Sequence, residues 1–140
     1  MFLEIAIFDP ISVATTGRKL NLHSDARYRF ERGLDSESPV WAAGHIARMV
    51  TEICGGEASV PVTMGPGVDW KRSIFLESGK VESLTGMVID AGEQQRILEA
   101  LGFTVTSADG GFDVAPPSWR GDIDGAADLV EEIALSLIHI

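Results

Sequence analysis

Fourteen residues in the middle of the chain, EASVPVTMGPGVDW (57–70), hold two prolines and two glycines and show no hydrophobic period. Proline removes a backbone donor and glycine loosens the chain, so neither a helix nor a central strand runs through this stretch. Residues 1–56 and 71–134 are therefore expected to fold separately, with 57–70 as the linker between two small domains. The two sides also differ in charge. Residues 1–56 carry six Lys/Arg and seven Asp/Glu, whereas 57–140 carry five and fourteen, so the net charge of −10 belongs to the second part. An acidic field repels phosphate backbones, which leaves nucleic-acid contact only to a local site or a larger assembly. The single cysteine, Cys54, excludes a disulfide framework and fits a reducing compartment. No apolar run approaches the ~18 residues of a membrane-spanning helix, and the opening MFLEIAIFDP carries acids where a secretory signal carries bases. These features predict a cytoplasmic protein without a membrane partner.

Hydrophobic periodicity predicts an α+β chain. FLEIAIF (2–8) is short and rich in Ile and Phe, which predicts a buried strand with Glu4 embedded in it. Asp9-Pro10 opens a helix to about Leu20, aspartate capping and proline sitting in the first turn. ARYRFE (26–31) alternates Ala26, Tyr28 and Phe30 with Arg27, Arg29 and Glu31, the period of a half-buried strand. Ser38-Pro39 opens a helix over 39–54 that stops at Gly55-Gly56. Beyond the linker, RSIFLES (72–78) predicts a strand and Ser78 a cap for a short helical turn to Gly86. Asp90, with Glu93 three residues on, predicts a capped helix to Gly102. FTVTSADGGFDVA predicts a hairpin about its Asp-Gly-Gly turn. Strand, helix, helix, hairpin, helix is the order of a small winged-helix module with the hairpin as wing. Its EQQRILEA segment offers only Arg96, so it lacks the basic face of a DNA-recognition helix.

DIDGAADLVEEIA (122–134) puts five carboxylates and no base on a helix that must also pack. Leu129, Val130 and Ile133 supply the packing stripe. Asp128, Glu131 and Glu132, spaced by three and four, share a side, with Asp122 at or before the start. Two readings stand side by side here. Acids at a helix start favour its dipole and need no partner beyond solvent; alternatively, hard oxygen ligands without sulfur or imidazole suit Mg²⁺. In PPSWR (116–120), Trp119 is expected to plug the small core and Arg120 to pair with local acids. HSD (23–25) spells a hydrolase triad, but consecutive residues cannot converge as one, and no catalytic residue is assigned.

Two blocks carry a family resemblance. FLEIAIFDPISVATTGRKLNLHSDARYRFERGLD (2–35) resembles the last part of the editing domain of the bacterial β subunit of phenylalanine–tRNA ligase. LTGMVI, ILEALGFTV, PPSWRGDI and DLVEEIA, within 84–134, resemble the winged-helix-like domain that follows it in that subunit. The order and separation also match, over essentially residues 1–134. The resemblance implies the C-terminal part of a mixed α/β editing domain (1–56) followed by a winged-helix-like domain (71–134). It also implies an internal fragment of an α2β2 enzyme that joins phenylalanine to tRNA(Phe) with ATP bound by the α subunit. Neither aminoacylation nor editing is expected from the fragment alone.

The resemblance further implies the site residues. Glu4 matches the carboxylate that accepts the phenol proton of wrongly attached tyrosine, with Ser24, where threonine is more usual, and Ala26 lining the same pocket. A site that hydrogen-bonds a substrate hydroxyl can reject the analogue lacking it by ~10⁴-fold or more. Asp122, Asp128, Glu131 and Glu132 match a Mg²⁺ site shared with the α subunit. Both assignments require Glu4 to be enclosed and the four acids to surround a common point. The closing LSLIHI departs from the family pattern and resembles the translation of a transposase adapter used in sequencing libraries, so 135–140 is expected to be non-native. The competing expectation for the whole chain is a non-catalytic winged-helix module that binds protein partners.

Overall fold

The computed structural model describes residues 1–138. The chain divides into two compact units, Met1–Asp69 and Trp70–Ile140.

The first unit is helical. α1 (Pro10–Lys19) starts as its sequence demands: Asp9 accepts a hydrogen bond from the Ser12 N–H at 2.7 Å and Pro10 occupies the first turn, while Arg18 and Lys19 face the negative end of the helix dipole. α2 (Asp25–Phe30) is short, and α3 (Ser38–Cys54) ends at Gly55, whose φ of 73° suits glycine. α1 and α2 meet at Gly17, the one buried residue in these helices, where a Cβ would collide with the Arg27 side chain. Phe8 and Phe30 pack edge to face with centroids 5.1 Å apart. α3 buries none of its seventeen residues and leaves Val40, Trp41 and Ile53 largely exposed.

Two expected strands are absent. Residues 2–8 form no strand, because a strand must hand its N–H and C=O groups to a neighbour and no strand lies in this unit among the described residues. ARYRFE is helix, not strand. Its alternation is ambiguous over so few residues, since Ala26 and Phe30 are also one helical turn apart. Local chemistry then decides: Ser24 Oγ accepts from the Arg27 N–H, and Arg27 Nε reaches Glu31 four residues on at 3.0 Å.

The second unit is built round a three-stranded antiparallel sheet in the order β1 (Ile74–Glu77), β3 (Gly111–Ala115), β2 (Thr104–Ala108). Leu76 lies opposite Phe112 and Val105 opposite Val114. Asp109-Gly110 makes the hairpin turn, with Gly110 at φ 78°. Gly111 has no room for a Cβ because the Leu76 carbonyl crosses directly over it. α4 (Lys80–Thr85) lies between the left-handed glycines Gly79 and Gly86, so Gly79 and not Ser78 takes the capping position. α5 (Ala91–Ala100) begins at Asp90, whose side chain accepts from the Gly92 N–H at 2.9 Å, while Glu93 turns to Arg96 instead of closing a capping box. α6 (Ala126–Ile138) completes the unit.

Leu76, Phe112 and Val114 from the sheet, Val81, Ile97 and Leu98 from α4 and α5, and Leu129, Val130 and Ile133 from α6 form one core with Phe103 and Ile123. The plug is Ile123, at 1% exposure, rather than Trp119, which remains 60% exposed and lies against Gly102. Gln94, the buried polar residue of α5, donates to the Ile89 carbonyl at 2.8 Å. At the chain end α6 continues through Leu135–Ile138 with Leu137 against the core. The remainder of the expected adapter-derived tail, 139–140, lies outside the described residues.

Candidate functional site

The acids of 122–132 find their partners inside the second unit. Arg120 spans two of them: Nε and Nη2 donate to the two oxygens of Asp122 at 2.8 and 2.6 Å, and Nη2 also donates to Glu132 Oε1 at 2.7 Å. The guanidinium carbon lies 5.7 Å from the centroid of the Phe103 ring. The two arms differ in weight, because Glu132 is 20% exposed and Asp122 64%, so water screens the Asp122 arm more strongly. These hydrogen bonds to Asp122 and then Glu132 raise the Arg120 pKa and keep its guanidinium charged. The Arg120 hydrogen bond likewise holds the Asp122 carboxyl below the usual aspartate range.

Asp128 faces elsewhere. One of its oxygens accepts from the N–H groups of Asp124 and Gly125 at 2.9 and 2.8 Å, satisfying donors that the start of α6 leaves unpaired. The turn that carries Arg120 is gripped by Arg72, whose Nε and Nη2 donate to the carbonyls of Ile123 and Arg120, both at 2.7 Å. Sequence reasoning missed Arg72. It lies 48 and 51 residues from its partners, and no local pattern marks such a contact.

The expected Mg²⁺ site does not fit this arrangement. Among the described residues no three His, Cys, Asp or Glu side chains come together as an ion would require. Asp122 and Glu132 enclose a guanidinium, Asp128 is turned to the backbone, and Glu131 is exposed. Arg120 pairs with local acids, as its position beside the acidic stretch implies.

The expected editing residues do not line one hollow. Glu4 is exposed on a segment without regular structure, not embedded in an apolar strand. Ser24 caps α2, and Ala26 is an exposed residue of that helix. The first unit has a hollow of about 330 Å³ between α1 and α2, walled by Phe8, Val13, Leu22 and Arg27 among others; Ser24 belongs to its lining and Glu4 and Ala26 do not. His23 faces Asn21 Oδ1 at 3.1 Å, away from any triad.

Two family models match the two units in sequence: the B3/4 domain over residues 1–55 and the tRNA synthetase B5 domain over residues 74–136. Phenylalanine–tRNA ligase β subunits match nearly the whole chain. That of Cereibacter sphaeroides is 50% identical over 134 residues, covering 96% of this chain and 16% of its own length. Those of Paramagnetospirillum magneticum and Rhodospirillum rubrum are each 47% identical, covering 95% of this chain and 17% of their own. The chain belongs to the phenylalanine–tRNA ligase β-subunit family. It spans about a sixth of the length of these relatives. Within the β-subunit stretch, the Arg120 cluster falls in the B5 match, and Glu4, Ser24 and Ala26 fall in the B3/4 match. No helix among the described residues is long and apolar enough to cross a membrane.

Proposed function

We propose that this stretch serves, within a chain of its relatives' length, as the junction of an editing domain and a winged-helix-like domain in a cytoplasmic phenylalanine–tRNA ligase. That enzyme attaches phenylalanine to tRNA(Phe) with ATP, and it works as an α2β2 assembly in which ATP binds to the α subunit. What carries the reading is the consecutive pair of domain matches, shared with β subunits over 95–96% of the chain.

Two contributions follow. The B5 unit, whose core is closed by its own side chains, is a rigid block against which the α subunit can be held. In the B3/4 unit, Glu4, Ser24 and Ala26 contribute to the pocket that recognises tyrosine mistakenly joined to the tRNA, once the rest of the editing domain encloses the exposed Glu4 carboxylate. By itself the chain performs neither aminoacylation nor editing.

Grafting residues 1–134 into the corresponding stretch of the Rhodospirillum rubrum β subunit tests this. The chimera, assembled with its α subunit, should charge tRNA(Phe) and release tyrosine from Tyr-tRNA(Phe), and Glu4→Ala should impair the second activity only. A chimera that assembles but neither charges nor edits would contradict the proposal. The reading of the second unit as a non-catalytic module that binds other protein partners draws on its self-contained core; it predicts no capture of the α subunit in a pull-down, where the ligase reading predicts capture.

A further inference from the structure

We infer that Arg120 is the resident cation of the acidic helix: its guanidinium, between Asp122 and Glu132, takes the place of a divalent ion and fixes the 116–123 turn onto α6. The inference is independent of the ligase reading, since it concerns only how the second unit balances its own charges.

Three observations carry it. The fork of Arg120 makes three charge-assisted hydrogen bonds of 2.6–2.8 Å to two carboxylates twelve and two residues away, which joins the turn to the middle of α6. A planar guanidinium can serve two carboxylates in this way and still lie over the Phe103 ring, whereas a compact ammonium cannot match both geometries. The turn it anchors is also the one that delivers Ile123 to the core, and Arg72 holds the same turn through the carbonyls of Arg120 and Ile123. Arg120 is thus a positioning residue: it sets where Ile123 enters and where the acids of α6 face.

The alternative is a Mg²⁺ ion, and the geometry disfavours it. Mg²⁺ demands octahedral oxygen ligation and gives up its waters reluctantly. To bind Asp122 it must displace the guanidinium, which occupies both oxygens of that carboxylate, at Glu132 it would compete with the same guanidinium, and one Asp128 oxygen is already committed to the N–H groups of Asp124 and Gly125.

The test uses the full 140-residue chain. The thermal midpoint of the second unit is followed in magnesium chloride and in potassium chloride of equal ionic strength, alongside the amide chemical shifts of residues 120–133. The native chain should melt at the same temperature in both salts. Arg120→Gln should melt lower by on the order of 10 °C and recover part of that loss in magnesium, because its two carboxylates then need another cation. Arg120→Lys should fall between the two, restoring charge without the fork. The inference is overturned if the native midpoint climbs saturably with magnesium while the Asp122 and Glu132 amides shift together, or if Arg120→Gln melts like the native chain or regains nothing in magnesium. Should Arg120→Gln fail to fold, the native titration decides alone: no saturable shift at Asp122 and Glu132 upholds the inference, and a saturable one defeats it.

Discussion

The two units differ little in length, 69 residues against 71, yet they differ completely in what they bury. Every buried apolar side chain of the described residues belongs to the second, between Leu76 and Ile133. The first unit is no poorer in hydrophobic residues: Phe2, Ile11, Val40, Trp41 and Ile53 are all there, and all are more than 60% exposed. What separates the units is closure. In the second, a sheet and three helices each offer an apolar face to the same interior. In the first, α1 and α2 cover one another and α3 keeps its apolar residues uncovered. The lesson is that hydrophobic content predicts a core only when the covering surface lies in the same stretch of chain.

Core truncation should separate the units most sharply. Leu129→Ala removes a fully buried side chain and should destabilise the second unit by about 2–5 kcal/mol in urea unfolding. Val40→Ala in α3, at 76% exposure, should stay within about 0.5 kcal/mol. Comparable losses at both positions would break the contrast. An intermediate effect is expected at the start of α6, where Asp128→Ala leaves two N–H groups without their acceptor. The cost should be about 1 kcal/mol by the same urea measurement, with no change on adding magnesium. The smallest effect concerns acid. Arg120 depresses the Asp122 pKa from an ordinary 3.8, so the stability from that contact is present above that value and is lost as pH falls through the lower folded one. A melting series from pH 5 to strongly acid solution should show the native chain and Asp122→Asn converging at the acid end and diverging above it.

Much of the second unit was legible in the sequence. The hairpin announced itself through Asp-Gly, α5 through Asp90, and the packing face of α6 through Leu129, Val130 and Ile133, because each of these signals is local and is written within a few residues. The first unit misled for the complementary reason. A strand is defined by its neighbour, so FLEIAIF carried the composition of one without a partner to pair with, and six residues of alternation in ARYRFE could not be told from one helical turn. The acids illustrate the same limit. Their spacing set Asp128, Glu131 and Glu132 on a helix, but which of them meets a cation depends on where Arg120, brought round by a turn and held by the distant Arg72, comes to rest. Trp119 lies exposed beside Gly102 while the smaller Ile123 takes the buried position, a choice set by how the turn is held and not by the residue types in it. Within the chain Glu4 stands exposed and the acids of α6 divide between Arg120 and the backbone, while the family membership rests on the match of the whole chain.

Amide hydrogen exchange on the full chain reads out whether the second unit is closed by its own residues while the first is not. Exchange should be slow, with a common opening energy, across the buried parts of β1, β3, α5 and α6, and much faster throughout α3. Equal protection in α3 and α6 would contradict it.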